Sequence, residues 1–321
     1  MSGRELVAGK YEVLWPLGAG GMGRVFAARR LHAGDVVALK RLLPSRDTPR
    51  NRDRLLREAQ AAAHIRHPGV VQVFDVDLLP DGAPFVVMEL VDGPTLEEAL
   101  RARGPLPPDR VAEIFAELCA AVEAGHRRGV LHRDLTARNV LLGRTDDGRE
   151  AVKLVDFGIA RLGAGPGWPG GDGDWVGTLG YAAPEVIAGA EPGPACDVFA
   201  LGVLLHQLLT GRMPFEARTP AGFLATVGRP SLLSRADLQA LPAPMLGALG
   251  AMLDADPARR PRSPLAAAAA VLRDPAHAWM GRRPGAAEAR PLASLERALW
   301  RARQGLERAG LTWSAPAAAT R

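Results

Sequence analysis

The sequence predicts an α+β fold with two lobes, a small lobe of five strands and one main helix followed by a larger, mainly helical lobe. Residues 11–91 alternate short strand-like runs with turn residues and contain one amphipathic helix. Beyond residue 93 the pattern changes to long helices. A chain of 321 residues with 47% hydrophobic content has room for lobes of about 90 and 180 residues.

The local sequence pattern predicts the strands and the helix of the small lobe. Three short strands are predicted first, joined by a glycine-rich loop and by the turn HAGD, and two more follow the helix. The strand sequences are KYEVLWPL, RVFAARRL, DVVALKRLL, HPGVVQVFDVDLL and PFVVMELV. Between the third and fourth strands, a helix is predicted over residues 51–65. Its apolar face consists of Leu55, Leu56, Ala59, Ala62 and Ala63.

The larger lobe is predicted to be built around two long helices. Residues 109–128 carry apolar side chains on one side, whereas residues 195–210 are apolar nearly all round and should be buried at the centre of the lobe. Two short strands, VLLG and AVKLV, flank DGRE. Residues 162–177 contain seven Gly and two Pro, which predicts a loop. In the tail, residues 291–310 have the spacing of a short amphipathic helix.

Charge and composition exclude several classes of function. The net charge of +5 lies in residues 276–321, which hold eight Arg and three Glu, so the body is close to neutral and no basic stripe indicates nucleic-acid binding. No apolar run is long enough for a signal core or a membrane span. Cys119 and Cys196 are expected to be buried free thiols. Together these features favour a cytoplasmic protein without nucleic-acid partners.

A glycine loop lies between the first two strands. In LGAGGMGRV, Gly18, Gly20 and Gly23 have the spacing GxGxxG, and glycine lets the backbone approach phosphate oxygens that a Cβ would hold away. A hairpin turn would explain the same residues. A dinucleotide-binding fold would need a helix next, but a strand follows. The loop is therefore a candidate cover for a nucleotide phosphate.

A lysine could bind phosphate, and an asparagine and an aspartate could bind a metal ion. The chain has only three Lys, and Lys40 ends the third strand on the same face as its apolar neighbours, with Glu58 in the following helix as its candidate partner. In HRDLTARN, Asp134 precedes Asn139 by the spacing of a base and a metal ligand. Asp156, in DFG, adds a carboxylate. Asn139 and Asp156 offer the hard oxygen ligands that suit Mg²⁺.

With these motifs in this order, residues 8–275 resemble a bacterial eukaryotic-like Ser/Thr protein kinase. Further matching pieces are REAQAAAHIRHPGVV, FVVMELVDGPTL, VKLVDFGIAR, GTLGYAAPE, DVFALGVLLHQLLTG and DPARRP. The resemblance implies a protein kinase domain over 11–275, with a small lobe 11–88, a hinge 89–92 and a large lobe 93–275, between an extension 1–10 and a basic tail 276–321. It also implies that Asp197 braces the catalytic loop and that Glu185 pairs with Arg260.

The resemblance implies that ATP binds between the lobes and that Mg²⁺ binds with it. Asp134 would accept the proton of a Ser or Thr hydroxyl of a protein substrate, while Lys40, held by Glu58, would bind the phosphates. The implied ATP-binding residues are Leu17, Gly18, Ala19, Gly20, Gly21, Gly23, Val25, Ala38, Lys40, Met88, Glu89, Val91, Asn139, Leu141 and Asp156.

The catalytic loop departs from the Ser/Thr kinase pattern. Thr136 stands where a Lys is usual, and the nearby cation is Arg138, which is a candidate replacement. HRDLTARN resembles the loop of tyrosine kinases, whereas GTLGYAAPE places Thr178 as a Ser/Thr kinase does. We expect the second motif to be the better guide, because it forms the surface that meets the substrate side chain.

The activation segment, residues 159–177, also departs from the Ser/Thr kinase pattern. It contains no Ser, Thr or Tyr, so Asp172 or Asp174 is a candidate permanent partner for Arg133, or both are solvated acids.

One alternative function is a pseudokinase scaffold that binds nucleotide or a partner without catalysis. Another, a small-molecule phosphotransferase, is disfavoured by the intact GTLGYAAPE. The tail helix could pack on the large lobe, dock a partner or contact an anionic surface.

Overall fold

The computed structural model describes residues 5–19, 23–144, 148, 150–157, 179–215, 219–227, 238 and 243–272, with the backbone alone at residues 54, 58, 108, 109, 243 and 244. Within these residues the chain forms a curled antiparallel sheet with one long helix, followed by a mainly helical lobe. The predicted α+β class with two lobes is confirmed. The predicted tail helix over 291–310 lies outside the described residues.

The small lobe has one more strand in its sheet than the sequence predicted. Its strands are β1 (Leu6–Val7), β2 (Tyr11–Ala19), β3 (Gly23–Arg30), β4 (Val36–Leu42), β5 (Val73–Leu78) and β6 (Pro84–Met88). They pair in the order β1-β2-β3-β4-β6-β5. The sixth strand comes from the segment expected to be an extension, where Val7 pairs with Tyr11 and is buried. Two residues are too few for an alternating pattern to reveal a strand.

The helices predicted over residues 51–65, 109–128 and 195–210 lie close to those positions, as α1, α3 and α5. The described helices are α1 (Pro49–Ala63), α2 (Leu96–Arg103), α3 (Pro108–His126), α4 (Pro184–Ile187), α5 (Pro194–Thr210), α6 (Pro220–Thr226), α7 (Ala243–Met252) and α8 (Pro264–Leu272). The Thr48 hydroxyl accepts a hydrogen bond from the backbone amide of Asn51 at 3.2 Å and caps α1, which begins at Pro49, two residues before its predicted start. None of the described helices is both long enough and apolar enough to cross a membrane.

A large apolar core fills the described part of the large lobe around α5. Most of this helix is buried, as its all-round apolar pattern predicted, and it packs against α3, α7 and α8. Cys119 and Cys196 are both free and buried in this core, as expected. Burial raises the pKa of both thiols, so neither is a reactive thiolate near neutral pH.

Two antiparallel strands of the large lobe contact the loop that follows α1. β7 (Val140–Arg144) pairs with β8 (Glu150–Leu154). The loop after α1 is attached to the end of β8, because Leu154 donates to the Gly69 carbonyl at 2.8 Å and accepts from the Val71 amide at 2.9 Å. β8 leads directly into Asp156. The small lobe is therefore fixed at the point where the chain enters the candidate site.

Candidate active site

Lys40 reaches from the small lobe to a carboxylate of the large lobe. It lies on β4, in register with Val25 of β3 and Val86 of β6, so the sheet fixes its direction. Its ammonium group is 2.6 Å from Asp156 Oδ1, and the two side chains are 15% and 40% exposed. A cation and an acid from different lobes thus meet at the cleft.

Glu58 and Asp156 complete this side of the cleft. Glu58 lies within α1, but its side chain is outside the described residues, so its pairing with Lys40 stays a prediction. Asp156 has a backbone φ of +56°, a left-handed conformation that is strained for a residue with a Cβ. Such strain at a carboxylate in a cleft is typical of functional sites.

The catalytic-loop candidates are in direct contact with one another. Asn139 Nδ2 donates to the Asp134 carbonyl at 2.7 Å and to Asp134 Oδ2 at 3.2 Å. Asn139 ends a short 3₁₀ turn, and its backbone carbonyl accepts a hydrogen bond from Val155. The Asn139 side chain therefore positions the Asp134 carboxylate. The Asn139 backbone carbonyl binds the amide of Val155, the residue before Asp156.

Asp197 braces the catalytic loop, as the resemblance implied. Its carboxylate accepts hydrogen bonds from the backbone amides of His132 and Arg133, both at 2.8 Å. Arg133 has a φ of +62°, so these bonds hold a strained backbone in place. Burial alone would raise the pKa of Asp197, but the hydrogen bonds from His126 and from the Arg133 backbone amide contribute to lowering it below its usual value. The carboxylate stays charged and can support the loop.

His126 is a part of this network that the sequence analysis missed. Its Nε2 lies 2.7 Å from Asp197 Oδ2, and both side chains are buried. The only sequence signal was a His at the end of a helix, which is uninformative without the fold. The contact ties the end of α3 to the start of α5 beneath the catalytic loop.

Phe157 anchors the segment that carries Asp156. It is 2% exposed, and its ring centroid lies 4.8 Å from that of His132. Gly125 of α3 provides the space, since a Cβ there would lie 2.3 Å from Phe157 Cε1. The His132 ring in turn contacts the Val155 carbonyl at 3.0 Å, and burial lowers the His132 pKa. The imidazole is therefore a neutral packing element.

The candidate adenine-side residues come together in one apolar cluster. Ala38 and Met88 are buried and paired across β4 and β6, and Val25 and Val91 pack against them. Leu141 lies on β7 opposite Lys153. Leu17, Gly18 and Ala19 end β2, and Gly23 begins β3. Gly20 and Gly21 lie outside the described residues.

Arg138 pairs with a carboxylate of α2. Its Nε donates to Glu97 Oε1 at 3.0 Å, and its side chain is 68% exposed. Thr136 is buried at 7% exposure. Whether Arg138 replaces the missing cation stays a prediction. Thr178, Asp172 and Asp174 lie outside the described residues.

The predicted pairing of Glu185 with Arg260 is confirmed. The guanidinium group donates to both carboxylate oxygens at 2.7 Å and also to the Ala195 carbonyl at 3.0 Å. The Arg260 side chain is fully buried, and its guanidinium carbon lies 4.9 Å from the Phe199 ring centroid. This pair fixes the residues after the activation segment to the core, outside the chemical site.

The donor set fits a nucleotide with a divalent metal. Asp156 and Asn139 contribute oxygen atoms, which hard divalent cations prefer, and Lys40 contributes one positive charge for phosphate. A Cβ at Gly18 would meet no atom within 4 Å, so the glycine loop borders open space at this residue. Charge and space therefore suit a phosphate-bearing ligand.

Comparison with known proteins identifies the family. The family model described as "Protein kinase domain" matches residues 11–273. The chain is 36% identical over 268 residues to the serine/threonine-protein kinase pkn3 of Myxococcus xanthus, covering 81% of this chain and 49% of that relative. It is 38% identical over 216 residues to the serine/threonine-protein kinase PknB of Mycobacterium leprae, covering 66% and 34%. The chain thus spans half or less of these relatives.

A solved structure agrees with this result. The fold is similar to the crystal structure of the Mycobacterium tuberculosis PknI kinase domain, with a TM-score of 0.64 and 29% identity. The match covers 85% of this chain and 98% of that one. As a family, protein kinases use ATP and a divalent metal, which agrees with the donor set of the cleft.

Proposed function

The chain belongs to the protein kinase family, and we propose that it transfers the γ-phosphoryl group of Mg·ATP to Ser or Thr hydroxyls of protein substrates. One observation carries the proposal. The Lys40 ammonium group contacts Asp156 at 2.6 Å across the cleft, beside the contact between Asn139 and Asp134. Phosphate-binding, metal-binding and base candidates from both lobes are therefore side by side.

In the proposed mechanism, Asp134 orients the acceptor hydroxyl and takes its proton as the oxygen attacks the γ-phosphorus. The bond from that phosphorus to the bridging oxygen breaks, and ADP leaves with the bonding electrons. Lys40 binds the α- and β-phosphates. Asn139 and Asp156 would hold Mg²⁺, which when bound neutralises charge on the phosphate oxygens. The hydrogen bond from Asn139 keeps Asp134 in position.

The choice of Ser and Thr as acceptors is supported by the relatives. Both pkn3 and PknB are described as serine/threonine-protein kinases. The motif GTLGYAAPE, with Thr178, points the same way, whereas HRDLTARN favours Tyr. We give the relatives and the acceptor motif more weight, because they agree.

We also propose a cytoplasmic location and limits for the domains. ATP and two free buried thiols suit the cytoplasm. The family match over residues 11–273 suits a kinase domain ending near residue 275. We propose that the basic residues 276–321 form a separate tail.

The test is transfer of radiolabelled phosphate from ATP to a generic protein substrate with Mg²⁺, followed by phosphoamino-acid analysis. We expect label on Ser or Thr that disappears in Asp134→Asn. Asp77→Asn is a matched control, because Asp77 pairs with Lys10 on the small-lobe sheet, away from the cleft. Label on Tyr would overturn the acceptor assignment. ATP binding without transfer would favour the pseudokinase alternative.

A further inference from the structure

Trp15 is a large apolar side chain that is half exposed on β2. Its side chain is 50% exposed, and it is the only tryptophan among the residues that the structure describes. Covering an exposed indole with a ligand is favourable, because apolar surface then leaves water. The face of the sheet on which Trp15 lies decides which ligand could cover it.

A bulge at Leu14 determines that face. Val13 is in register with Ala28 of β3. Trp15 is in register with Ala27, so β2 has one extra residue between the two pairs. Residues directly opposite on paired strands lie on the same face, and successive residues of one strand alternate between faces. Val13 and Trp15 therefore lie on opposite faces, although residues two apart in a regular strand share a face.

The two faces have different surroundings. Val13 packs against the buried core that contains Tyr11, on the back of the sheet. On the other face, Ala27 is in register with Ala38, and Ala38 is in register with Met88. Trp15 thus begins a row of side chains that runs across the sheet to the candidate adenine-side cluster.

The position of this row indicates which part of a nucleotide would lie beneath it. Lys40, the candidate phosphate ligand, lies two residues beyond Ala38 on β4, in register with Val25. Val25 is itself in register with Gly18 of the glycine loop. The row that contains Trp15 is therefore the one on the adenine side of the phosphate-binding row.

Trp15 also lies at the outer edge of the sheet. β1 pairs with β2 only at Tyr11 and Glu12, so β2 is an edge strand at Trp15 within the described residues. An indole at this edge, on the cleft face, offers a flat apolar surface at the mouth of the cleft. Planar ring systems bind to such aromatic surfaces by offset stacking.

We propose that the indole of Trp15 covers the nucleoside part of the bound nucleotide. The inference rests on the proposed binding of ATP between the lobes. The apolar wall formed by Ala38 and Met88 continues through Trp15 to the outer strand. The bulge at Leu14 directs Trp15 to the cleft and leaves Val13 in the back core, a use of bulges that is common beside active sites.

The first experiment measures the dissociation constant of Mg·ADP by calorimetry, which does not need activity. We expect Trp15→Ala to bind Mg·ADP about fivefold more weakly than the wild type, and Trp15→Phe, which keeps an aromatic ring, to stay within about twofold. Leu31→Ala is the matched control. It removes an apolar side chain that is 48% exposed, just after β3 at the end opposite the glycine loop, and should leave the dissociation constant unchanged.

Fluorescence tests the contact directly. Mg·ADP should change the tryptophan emission of the wild type, and Trp15→Phe, which removes one of six tryptophans, should lose most of that change. Inorganic pyrophosphate, which has no nucleoside, should leave the emission of the wild type unchanged. In steady-state kinetics, Trp15→Ala should raise the KM for ATP about fivefold at nearly unchanged kcat, because it removes binding that substrate and transition state share.

The outcomes separate this inference from the proposed function. Equal dissociation constants for Trp15→Ala and the wild type, or an unchanged emission signal in Trp15→Phe, would show that Trp15 does not contact the nucleoside, while the kinase assignment stands. A wild type that binds Mg·ADP but transfers no phosphate would contradict the proposed catalysis, and the binding comparison would still decide the role of Trp15. A wild type that binds no nucleotide would overturn both.

Discussion

The ammonium group of Lys153 donates to Glu89 Oε1, and this contact ties β8 to the segment that joins the lobes. The second carboxylate oxygen of Glu89 accepts a hydrogen bond from the Gln72 amide at 3.2 Å. Both charged side chains are mostly buried, at 20% and 27% exposure. Glu89 is thus held from two directions, immediately after the strand that forms the apolar wall of the candidate adenine site.

We expect Lys153→Met to raise the KM for ATP with little change in kcat. The change leaves the Glu89 carboxylate in a half-buried place without its cation, so the interlobe segment should shift. Adding Glu89→Gln should recover part of the affinity, with a coupling free energy of about 1 kcal/mol in a double-mutant cycle. Steady-state kinetics at varied ATP concentration measures kcat and the KM for ATP of each variant.

Lys10→Met is the control for that cycle, because it breaks an exposed pair with Asp77 elsewhere on the sheet. We expect no change in either kinetic constant. Equal KM values for Lys153→Met and the wild type would show that the contact with Glu89 does not position the nucleotide site.

Gly125→Ala should disable the site by displacing Phe157. The new Cβ would lie 2.3 Å from Phe157 Cε1, which forces the ring to move, and 3.0 Å from the Val130 carbonyl oxygen, which is a tight contact. Overpacking of this kind costs about 1–3 kcal/mol of stability, and moving Phe157 moves Asp156 with it. We expect a lower melting temperature and a kcat reduced by more than the stability loss explains.

Two comparisons sharpen this test. Gly247→Ala lies on an exposed part of α7 where a Cβ meets no atom within 4 Å, so it should be neutral or slightly stabilising. Phe157→Leu combined with Gly125→Ala should restore part of the melting temperature, because the smaller side chain relieves the clash. Full activity of Gly125→Ala alone would refute the steric argument.

The parts of the site that lie within one motif could be predicted from sequence. The spacing of Asp134 and Asn139 fixes their contact, because four intervening residues of one short loop cannot separate them far. The pairing of Glu185 with Arg260 came from resemblance alone. Residues 75 apart in the chain give no periodic signal, so composition and spacing could not have shown it.

Contacts between lobes and between distant segments could not be predicted. Lys is rare in this chain, but nothing in the sequence pattern indicated that Lys153 would meet Glu89. Arg138 was predicted from its place in the loop to replace the usual Lys, but nothing in the pattern indicated that the fold brings Glu97 of α2 to it from 41 residues away. Partners of this kind depend on how the helices pack, which local pattern does not specify.

His67 should make the fold less stable in mild acid. Its Nδ1 accepts a hydrogen bond from the Gly69 amide at 3.0 Å, which requires a neutral acceptor at that nitrogen. Burial first, and then the Lys153 charge, lower its pKa to about 4 from 6.5. Between these values the unfolded chain binds a proton that the folded chain does not, so stability falls as pH falls through this window.

The size of the effect can be measured by urea unfolding. The shift predicts a loss of about 2 kcal/mol from this group between about pH 7 and about pH 5. His67→Asn keeps an acceptor for the Gly69 amide but does not titrate, so its loss of stability over this interval should be smaller. His32→Asn, at an exposed position, should follow the wild type. Identical profiles for all three proteins would contradict the assignment.

Arg138 and Glu97 allow a direct test of the missing cation. Thr136 offers no positive charge beside Asp134, so the only candidate on this loop for stabilising the transferring phosphoryl group is Arg138, now held by Glu97 at 3.0 Å. If Arg138 turns to the phosphate when substrates bind, Arg138→Met should lower kcat by about tenfold at nearly unchanged KM for ATP. Glu97→Gln removes the competing carboxylate and should leave kcat equal or higher.

Arg101→Met is the matched control, since Arg101 is the other partner of Glu97 and is 69% exposed on α2. We expect its kcat to equal that of the wild type, because it lies outside the catalytic loop. Steady-state kinetics of the three variants at saturating ATP distinguishes a role of Arg138 in phosphoryl transfer from a role in holding α2 against the catalytic loop. A kcat for Arg138→Met equal to that for Arg101→Met would mean that Arg138 serves only to hold α2 against the loop.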